Sequence, residues 1–160
     1  MKTITRSSIY LPLAALILAA AIPAAAQQVP FKGAFLGSDI VSGEGPCAAT
    51  ICTTATGTGT LLGQFALTQQ ITVNFANFTE TGSAQWIAAN GDSIYTTIAG
   101  SGYFLASGLI RITEIHTVTG GTGRFAGAQG SFTVDRLASP TAFITFGSFH
   151  GTISSPGAAH

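Results

Sequence analysis

Two ionisable side chains, Glu114 and His116, have the types and the spacing for acid–base chemistry. They lie in residues 109–118, LIRITEIHTV, where strand alternation places both on one face with three apolar residues. On a strand they stand about 7 Å apart, and burial in an apolar barrel perturbs the pKa values of such groups and suits them to proton transfer. If this face points outward, they are a solvated pair instead. The alternation alone leaves both orientations open.

Three aromatic residues, Trp86, Tyr95 and Tyr103, are candidates for lining a ligand cavity. Large rings with a polar edge suit the walls of a small-molecule site. In a small barrel, however, the interior is often filled by side chains, and aromatic residues then serve simply as core. Both interpretations remain open for these three residues.

The sequence lacks the motifs that mark the common enzyme classes. It has no nucleophile elbow, no paired catalytic carboxylates and no glycine-rich phosphate loop that leads into a helix. The three histidines, His116, His150 and His160, are scattered, so we expect neither a metal site nor another cofactor. An enzyme on this chain would be a cofactor-independent isomerase or cyclase, with Glu114 and His116 as its acid and base.

Charge is sparse and balanced along the chain. The 160 residues include six basic and six acidic side chains, so we predict no electrostatic patch for nucleic acid or for an anionic membrane surface. Some of the charged residues are expected to pair in exposed salt bridges at the rim of the domain, which contribute little to stability. These are Arg111, Arg124, Arg136, Glu80, Asp92 and Asp135.

An export signal is predicted over residues 1–26. Lys2 and Arg6 precede an apolar run over residues 9–22, and small residues then lead to a cleavage site predicted after Ala26. The run has about 14 residues, whereas a membrane-spanning helix needs roughly 20, so no permanent membrane anchor is expected. The remaining residues, 27–160, are predicted to form one secreted or periplasmic domain.

The only two cysteines, Cys47 and Cys52, are separated by four residues in a segment rich in Gly, Pro, Ala and Thr. After export they meet an oxidising compartment, so a local disulfide is predicted. A bridge this short removes little chain entropy and should shape the loop more than it stabilises the domain. Metal binding would need further ligands at coordinating spacing, which are absent.

Strand-like runs bounded by turn residues follow one another, and no helical period is seen after Gln27. The composition, rich in Gly, Thr, Phe and Ile, also favours an all-β domain. We predict a single closed, eight-stranded antiparallel barrel with one long loop at 42–56 and a frayed tail after Ser155. The predicted strands are 31–41, 57–67, 69–78, 81–89, 92–99, 102–118, 129–138 and 142–153.

Two local signals give this barrel a register and a shape. Asn90-Gly91 predicts a two-residue type I′ hairpin, which would place Trp86 opposite Tyr95. Glycines also recur beside aromatic residues, as in Gly33-Ala34-Phe35. In closed barrels such glycines bend strands, and large side chains cover them or fill the interior.

Residues 120–130, GGTGRFAGAQG, form a tight glycine-built turn with Phe125 tucked into the barrel end. This run resembles a segment of the allene oxide cyclase and dirigent superfamily, and most closely its small secreted bacterial members. LGQF at 62–65, AANGD at 88–92 and GSFHGTI at 147–153 extend the resemblance over most of residues 27–160. It implies an eight-stranded antiparallel barrel. Characterised members include a fatty-acid oxide cyclase and proteins that steer phenoxy-radical coupling, and none of their catalytic residues is matched here.

The sequence therefore leaves three hypotheses for the function. The leading hypothesis is a secreted barrel that binds a small apolar ligand, which the apolar strands and the absence of catalytic motifs favour. The second is the cyclase or isomerase that would use Glu114 and His116. The third is a structural or surface protein with a filled core, and a homo-oligomer is compatible with any of the three.

Overall fold

The computed structural model describes residues 27–41, 47, 50–154 and 156–157. The predicted export signal, residues 1–26, lies outside the described residues. So do residues 42–46 and 48–49 of the predicted loop and most of the predicted frayed tail.

Eight antiparallel strands form a closed barrel in chain order, which confirms the predicted fold class. Each strand pairs with the next, and the first pairs with the last over eleven residue pairs. A short 3₁₀ helix, Gly123–Phe125, lies between the sixth and seventh strands. The strands are β1 (Gln28–Val41), β2 (Ile51–Gly59), β3 (Gly63–Asn74), β4 (Thr79–Ala88), β5 (Ser93–Phe104), β6 (Ile110–Gly121), β7 (Gly130–Ser139) and β8 (Ile144–Ser154).

The predicted strand boundaries were wrong in two regions, where the predicted breaks at 68 and at 100–101 fall inside β3 and β5. The run predicted as a strand at 57–67 is divided by a turn in which Leu61 has φ 66°, and β2 begins at Ile51, inside the predicted loop. The run predicted at 102–118 is likewise split by a turn containing Gly108 at φ 83°. In both places the side chains at the turn fit a strand pattern. The turns were missed because they depend on backbone angles, which the apolar pattern does not report.

The hairpin at Asn90-Gly91 also differs from the prediction. Of these two residues only Gly91 has a positive φ, 89°, and the loop is closed by a hydrogen bond from the Ala88 amide to the Asp92 carbonyl. This geometry matches a three-residue loop with a bulge rather than the two-residue type I′ turn. Trp86 therefore pairs with Ile94 instead of Tyr95. A shift of one residue exchanges the faces of a strand, so Trp86 and Tyr95 lie on opposite sides of the sheet.

Glycines inside the barrel provide room for aromatic rings; among those that lie beside aromatic residues in the sequence, Gly33 does so. A Cβ atom on Gly33 would lie 2.6 Å from the Phe149 ring, and one on Gly59 would lie 2.7 Å from it. Gly57 would meet the Phe65 ring at the same 2.7 Å. These rings pack directly on bare backbone, which no larger residue would permit.

One half of the interior, here called the aromatic half, is packed with rings. Trp86 lies at its centre, with five phenylalanine ring centroids 5.0–6.5 Å from its own. These are Phe31, Phe35, Phe65, Phe132 and Phe149. Leu62 and Phe125 are almost fully buried at the same end.

The glycine-rich run folds over the end of the aromatic half. Phe125 is 1% exposed, in agreement with the predicted tucked position. Gly123 has φ 55°, and a Cβ atom there would overlap the Asp92 carboxylate. Asp92 in turn accepts a hydrogen bond from the Arg124 amide and lies 3.5 Å from its guanidinium. The motif therefore links two hairpin loops and closes this end of the barrel.

Candidate functional site

The inward face of β6 carries both candidate acid–base residues. Glu114 and His116 are 0% exposed and point into the barrel, while Ile115 between them is 47% exposed on the outside. The nearest atoms of the pair, His116 Nε2 and Glu114 Oε2, are 3.4 Å apart. The geometric condition for an internal acid–base pair is met, and a catalytic role for the pair stays a prediction.

Arg136, from β7, is the cation at the centre of this interior. Its Nε donates a hydrogen bond to Glu114 Oε1 at 3.0 Å, and Nη1 donates to Thr145 Oγ1 at 3.3 Å and to Asp39 Oδ2 at 3.5 Å. Its Nη2 lies 3.9 Å from Glu80 Oε2. We call Asp39, Glu80, Glu114 and Arg136 the charged layer.

The expectation that Arg136 forms an exposed rim salt bridge was wrong. Its pairing with Glu80 exists, but both side chains are more than nine-tenths buried. Buried acidic partners on three other strands, β1, β4 and β6, explain this position, because an unpaired guanidinium inside a barrel would be very costly. The pair Arg124 and Asp92, in contrast, is partly exposed, as predicted.

Polar side chains on the aromatic side of the charged layer form hydrogen bonds with Glu114 and His116. Gln69 Nε2 donates to Glu114 Oε1 at 3.4 Å. His116 Nδ1 lies 3.0 Å from Thr96 Oγ1, and the imidazole stacks on the Phe132 ring at 5.1 Å between centroids. His116 thus marks the boundary between the charged layer and the aromatic half.

The two glutamates of the charged layer are held in opposite protonation states. Burial alone would raise the pKa of Glu114, but the positive charge of Arg136 and the hydrogen bond to His116 outweigh it and lower that pKa well below its usual range. Burial and the negative charge of Glu114 raise the pKa of Glu80 to about 8. At neutral pH, Glu80 is therefore a neutral acid beside a charged arginine.

A cavity of about 180 Å³ opens at the end of the barrel opposite the aromatic half. Its floor is formed by three members of the charged layer, Asp39, Glu80 and Arg136. We call it the mouth cavity. Its walls are apolar and include Val41, Ile51, Val73, Ile110, Ile112 and Ala138, and its rim carries Phe75, Phe78, Phe104 and Phe143.

Glu114 and His116 do not line the mouth cavity, because they lie on the far side of Arg136 and Glu80. The groups that a molecule in the cavity would meet are Glu80, Asp39 and Arg136. Sequence reasoning missed all three as site residues. The one available signal was alternation on β7, where Arg136 falls on the same face as Phe132 and Val134.

The structure does not bring the three predicted ligand-lining aromatics together. Trp86 is fully buried in the aromatic half. Tyr95 and Tyr103 lie on the outer surface, 39% and 57% exposed. The neighbour of Tyr103, Phe104, is the residue that reaches the cavity rim. Trp86 therefore serves as core, one of the two interpretations left open, whereas the two tyrosines chosen by residue type lie on the outer face.

Cys47 and Cys52 form the predicted disulfide, with their Cα atoms 5.7 Å apart. Such a bond is consistent with an extracellular or periplasmic location. Within residues 27–41, 47, 50–154 and 156–157, no group of three or more His, Cys, Asp or Glu side chains is arranged to hold a metal ion. In the same ranges no helix has the length and apolar character needed to cross a bilayer.

Comparison with known proteins gives no relative for this chain: no family model, no curated protein and no solved structure matches it.

Proposed function

We propose that this chain is an exported barrel protein that binds one small, mainly apolar molecule in the mouth cavity. The observation that carries the proposal is an apolar-walled cavity of about 180 Å³ with charged groups confined to its floor. A void of roughly 150 Å³ is enough to hold a benzene-sized molecule. The predicted signal segment and the disulfide support export.

The placement of the charged layer favours binding over a purely structural role. Replacing a buried ion cluster with apolar residues is often neutral or stabilising, so such a cluster is a poor device for stability alone. A barrel selected only for a filled core would not keep such a cluster.

The cavity indicates the chemistry of its occupant. An apolar body would contact the aliphatic walls, and one polar atom would face the floor, where Arg136 donates hydrogen bonds and Asp39 accepts them. The volume admits a single substituted ring or a chain of about six carbons. Suitable probes are therefore p-cresol, indole and 1-hexanol.

Filling the cavity tests the proposal. Ala138 lines the wall and is 5% exposed, so Ala138→Leu places three additional carbons in the mouth cavity. We expect this change to weaken probe binding at least tenfold in calorimetric or NMR titrations. Ala99→Leu, on the exposed outer face of β5, is the matched control and should bind normally. Absence of any saturable binding by the folded wild-type protein at millimolar probe would refute the proposal.

A cofactor-independent isomerase or cyclase is the second candidate, and one observation favours it. Glu80 lines the cavity and is protonated at neutral pH, with Arg136 beside it to stabilise a developing negative charge. In this form of the hypothesis Glu80, rather than Glu114 or His116, would donate the proton to a bound oxygen and recover it afterwards.

Mass spectrometry and chiral chromatography of a bound ligand before and after incubation test this second candidate. Wild-type protein should convert the ligand to an isomer of equal mass, and Glu80→Gln should bind it but convert it at least a hundredfold more slowly. Recovery of unchanged ligand from the wild-type protein would eliminate catalysis while leaving the binding function intact.

A further inference from the structure

We propose that the barrel mouth docks onto the surface of a lipid bilayer with neutral headgroups. The contact surface is the ring of Phe75, Phe78, Phe104 and Phe143, which we call the phenylalanine rim. This inference does not depend on what the mouth cavity binds, because it rests on side chains that project away from the barrel.

The phenylalanine rim is strongly exposed. Phe75 is 75% exposed, Phe104 57%, Phe143 50% and Phe78 42%, and Val41 beside them is 65% exposed. The four rings come from three different loops that meet at one end of the barrel. A group of exposed apolar side chains at one end of a domain marks a surface that contacts an apolar partner.

Backbone geometry holds two of these rings outward. Phe78 has φ 54° and Phe143 has φ 56°, in the left-handed region that bulky residues rarely occupy. Such positions cost of order 1–3 kcal/mol each and concentrate at functional sites. Phe78 also packs edge-on against Phe104 with centroids 6.0 Å apart. The rim is therefore a preorganised surface rather than a set of loose side chains.

The three loops of the rim contain no charged residue. Residues 74–79, 104–110 and 139–144 include no Asp, Glu, Lys or Arg. Three of their polar side chains accept hydrogen bonds from nearby backbone amides: Asn74 Oδ1 from Ala76, Asn77 Oδ1 from Thr79, and Ser139 Oγ from Ala142. Moving these loops out of water would leave few hydrogen-bonding groups unsatisfied.

The opposite end of the barrel is different, since its loops carry the Asp92 and Arg124 ion pair. The three rim loops lack such charges. Loops without basic residues gain nothing from anionic lipid, so neutral headgroups are the expected partner.

The shape of the rim favours a lipid surface over a protein. Four half-exposed phenylalanines offer roughly 400 Å², about half of the ~800 Å² per partner in a stable protein interface. The rings also stand on separate loop tips around an open cavity, so two copies meeting mouth to mouth would enclose a void. A fluid bilayer interface adapts to such tips and takes up each ring separately.

Flotation with phosphatidylcholine vesicles tests the inference. We expect the wild-type protein to float with the vesicles and the double variant Phe75→Ser/Phe104→Ser to bind at least tenfold more weakly. The matched control is Leu36→Ser/Phe146→Ser, which removes two exposed apolar side chains, 61% and 45% exposed, that pair on the barrel wall. It should float like the wild type, and the buried emission of Trp86 should confirm that all variants are folded.

Three outcomes would overturn the inference. One is wild-type protein that does not float at any lipid concentration. Another is binding that requires phosphatidylserine, which would indicate an electrostatic contact. The third is a rim-dependent dimer seen by light scattering, which would assign the rim to a second copy of this chain.

Discussion

The two halves of the barrel interior are built from the same eight strands but bury different kinds of side chain. In the aromatic half, rings pack on rings and on bare glycine backbone, and no charged side chain is present among the described residues. In the mouth half, one arginine and three carboxylates lie beneath a cavity. On β1 the change occurs between Phe35 and Asp39, a distance of four residues.

This difference separates stability from function within one core. Close-packed rings stabilise the fold through the apolar area that they remove from water. The charged layer cannot be explained in that way, because its desolvation offsets most of what its ion pairs contribute. We therefore expect changes in the mouth half to alter pH dependence and binding as well as stability, and changes in the aromatic half to alter stability alone.

The largest effect should come from removing the central cation. Arg136→Met would leave Glu114 and Asp39 buried without their positive partner, a change that costs about 3–5 kcal/mol in unfolding free energy. Arg124→Met at the opposite end removes a partly exposed pair and should cost less than about 1 kcal/mol. Urea denaturation at pH 7 measures both. Equal losses of unfolding free energy for the two variants would show that the charged layer contributes no more than a partly exposed ion pair.

A somewhat smaller effect should depend on pH. Between pH 4.5 and about 8 the folded chain keeps a proton on Glu80 that the unfolded chain has released. Stability from this group is therefore fully present below pH 4.5 and is lost as pH rises through about 8. Glu114 acts in the opposite direction, because its lowered pKa removes stability only as pH falls below its usual range.

Glu80→Gln isolates this behaviour. The amide copies the neutral acid, so the variant should match the wild type near pH 5 and exceed its unfolding free energy by on the order of 3 kcal/mol at pH 9. Urea titrations of both proteins across this pH range measure the difference in unfolding free energy. Two curves that run parallel from pH 5 to pH 9 would mean that Glu80 ionises normally in the folded protein.

The fold could be predicted from the sequence more fully than the candidate site. Alternating apolar residues, short connections and sparse charge predicted the closed barrel, because these properties are local. The hairpin register was missed because Asn-Gly fits two loop geometries, and only one of them places Trp86 opposite Tyr95. The sequence could not show whether Glu114 and His116 point inward, because isoleucines occur on both faces of β6.

For the remaining site residues, local reasoning offered only the alternation on β7 that places Arg136 on the inward face. Arg136 and Asp39 are 97 positions apart in the chain, and each alone resembles a solvated charge. Glu80 sits at the second position of β4, directly after a turn, where an exposed carboxylate is the ordinary expectation. Their burial depends on barrel closure, which brings charges from β1, β4, β6 and β7 into one layer. The same closure gathers the rim loops, whose phenylalanines are far apart in sequence.

The smallest predicted change in stability concerns two glycines with positive φ, one at each end of the barrel. Gly108, in a rim loop, has open space around it, so Gly108→Ala should cost only the backbone strain of about 1 kcal/mol. Gly123→Ala adds an overlap with the Asp92 carboxylate and should cost about 2 kcal/mol. The difference should disappear when both glycine variants are measured in an Asp92→Ala background by thermal unfolding. If Gly123→Ala keeps its excess cost there, the closed end is fixed by the loop backbone itself and not by the carboxylate that joins its two hairpins.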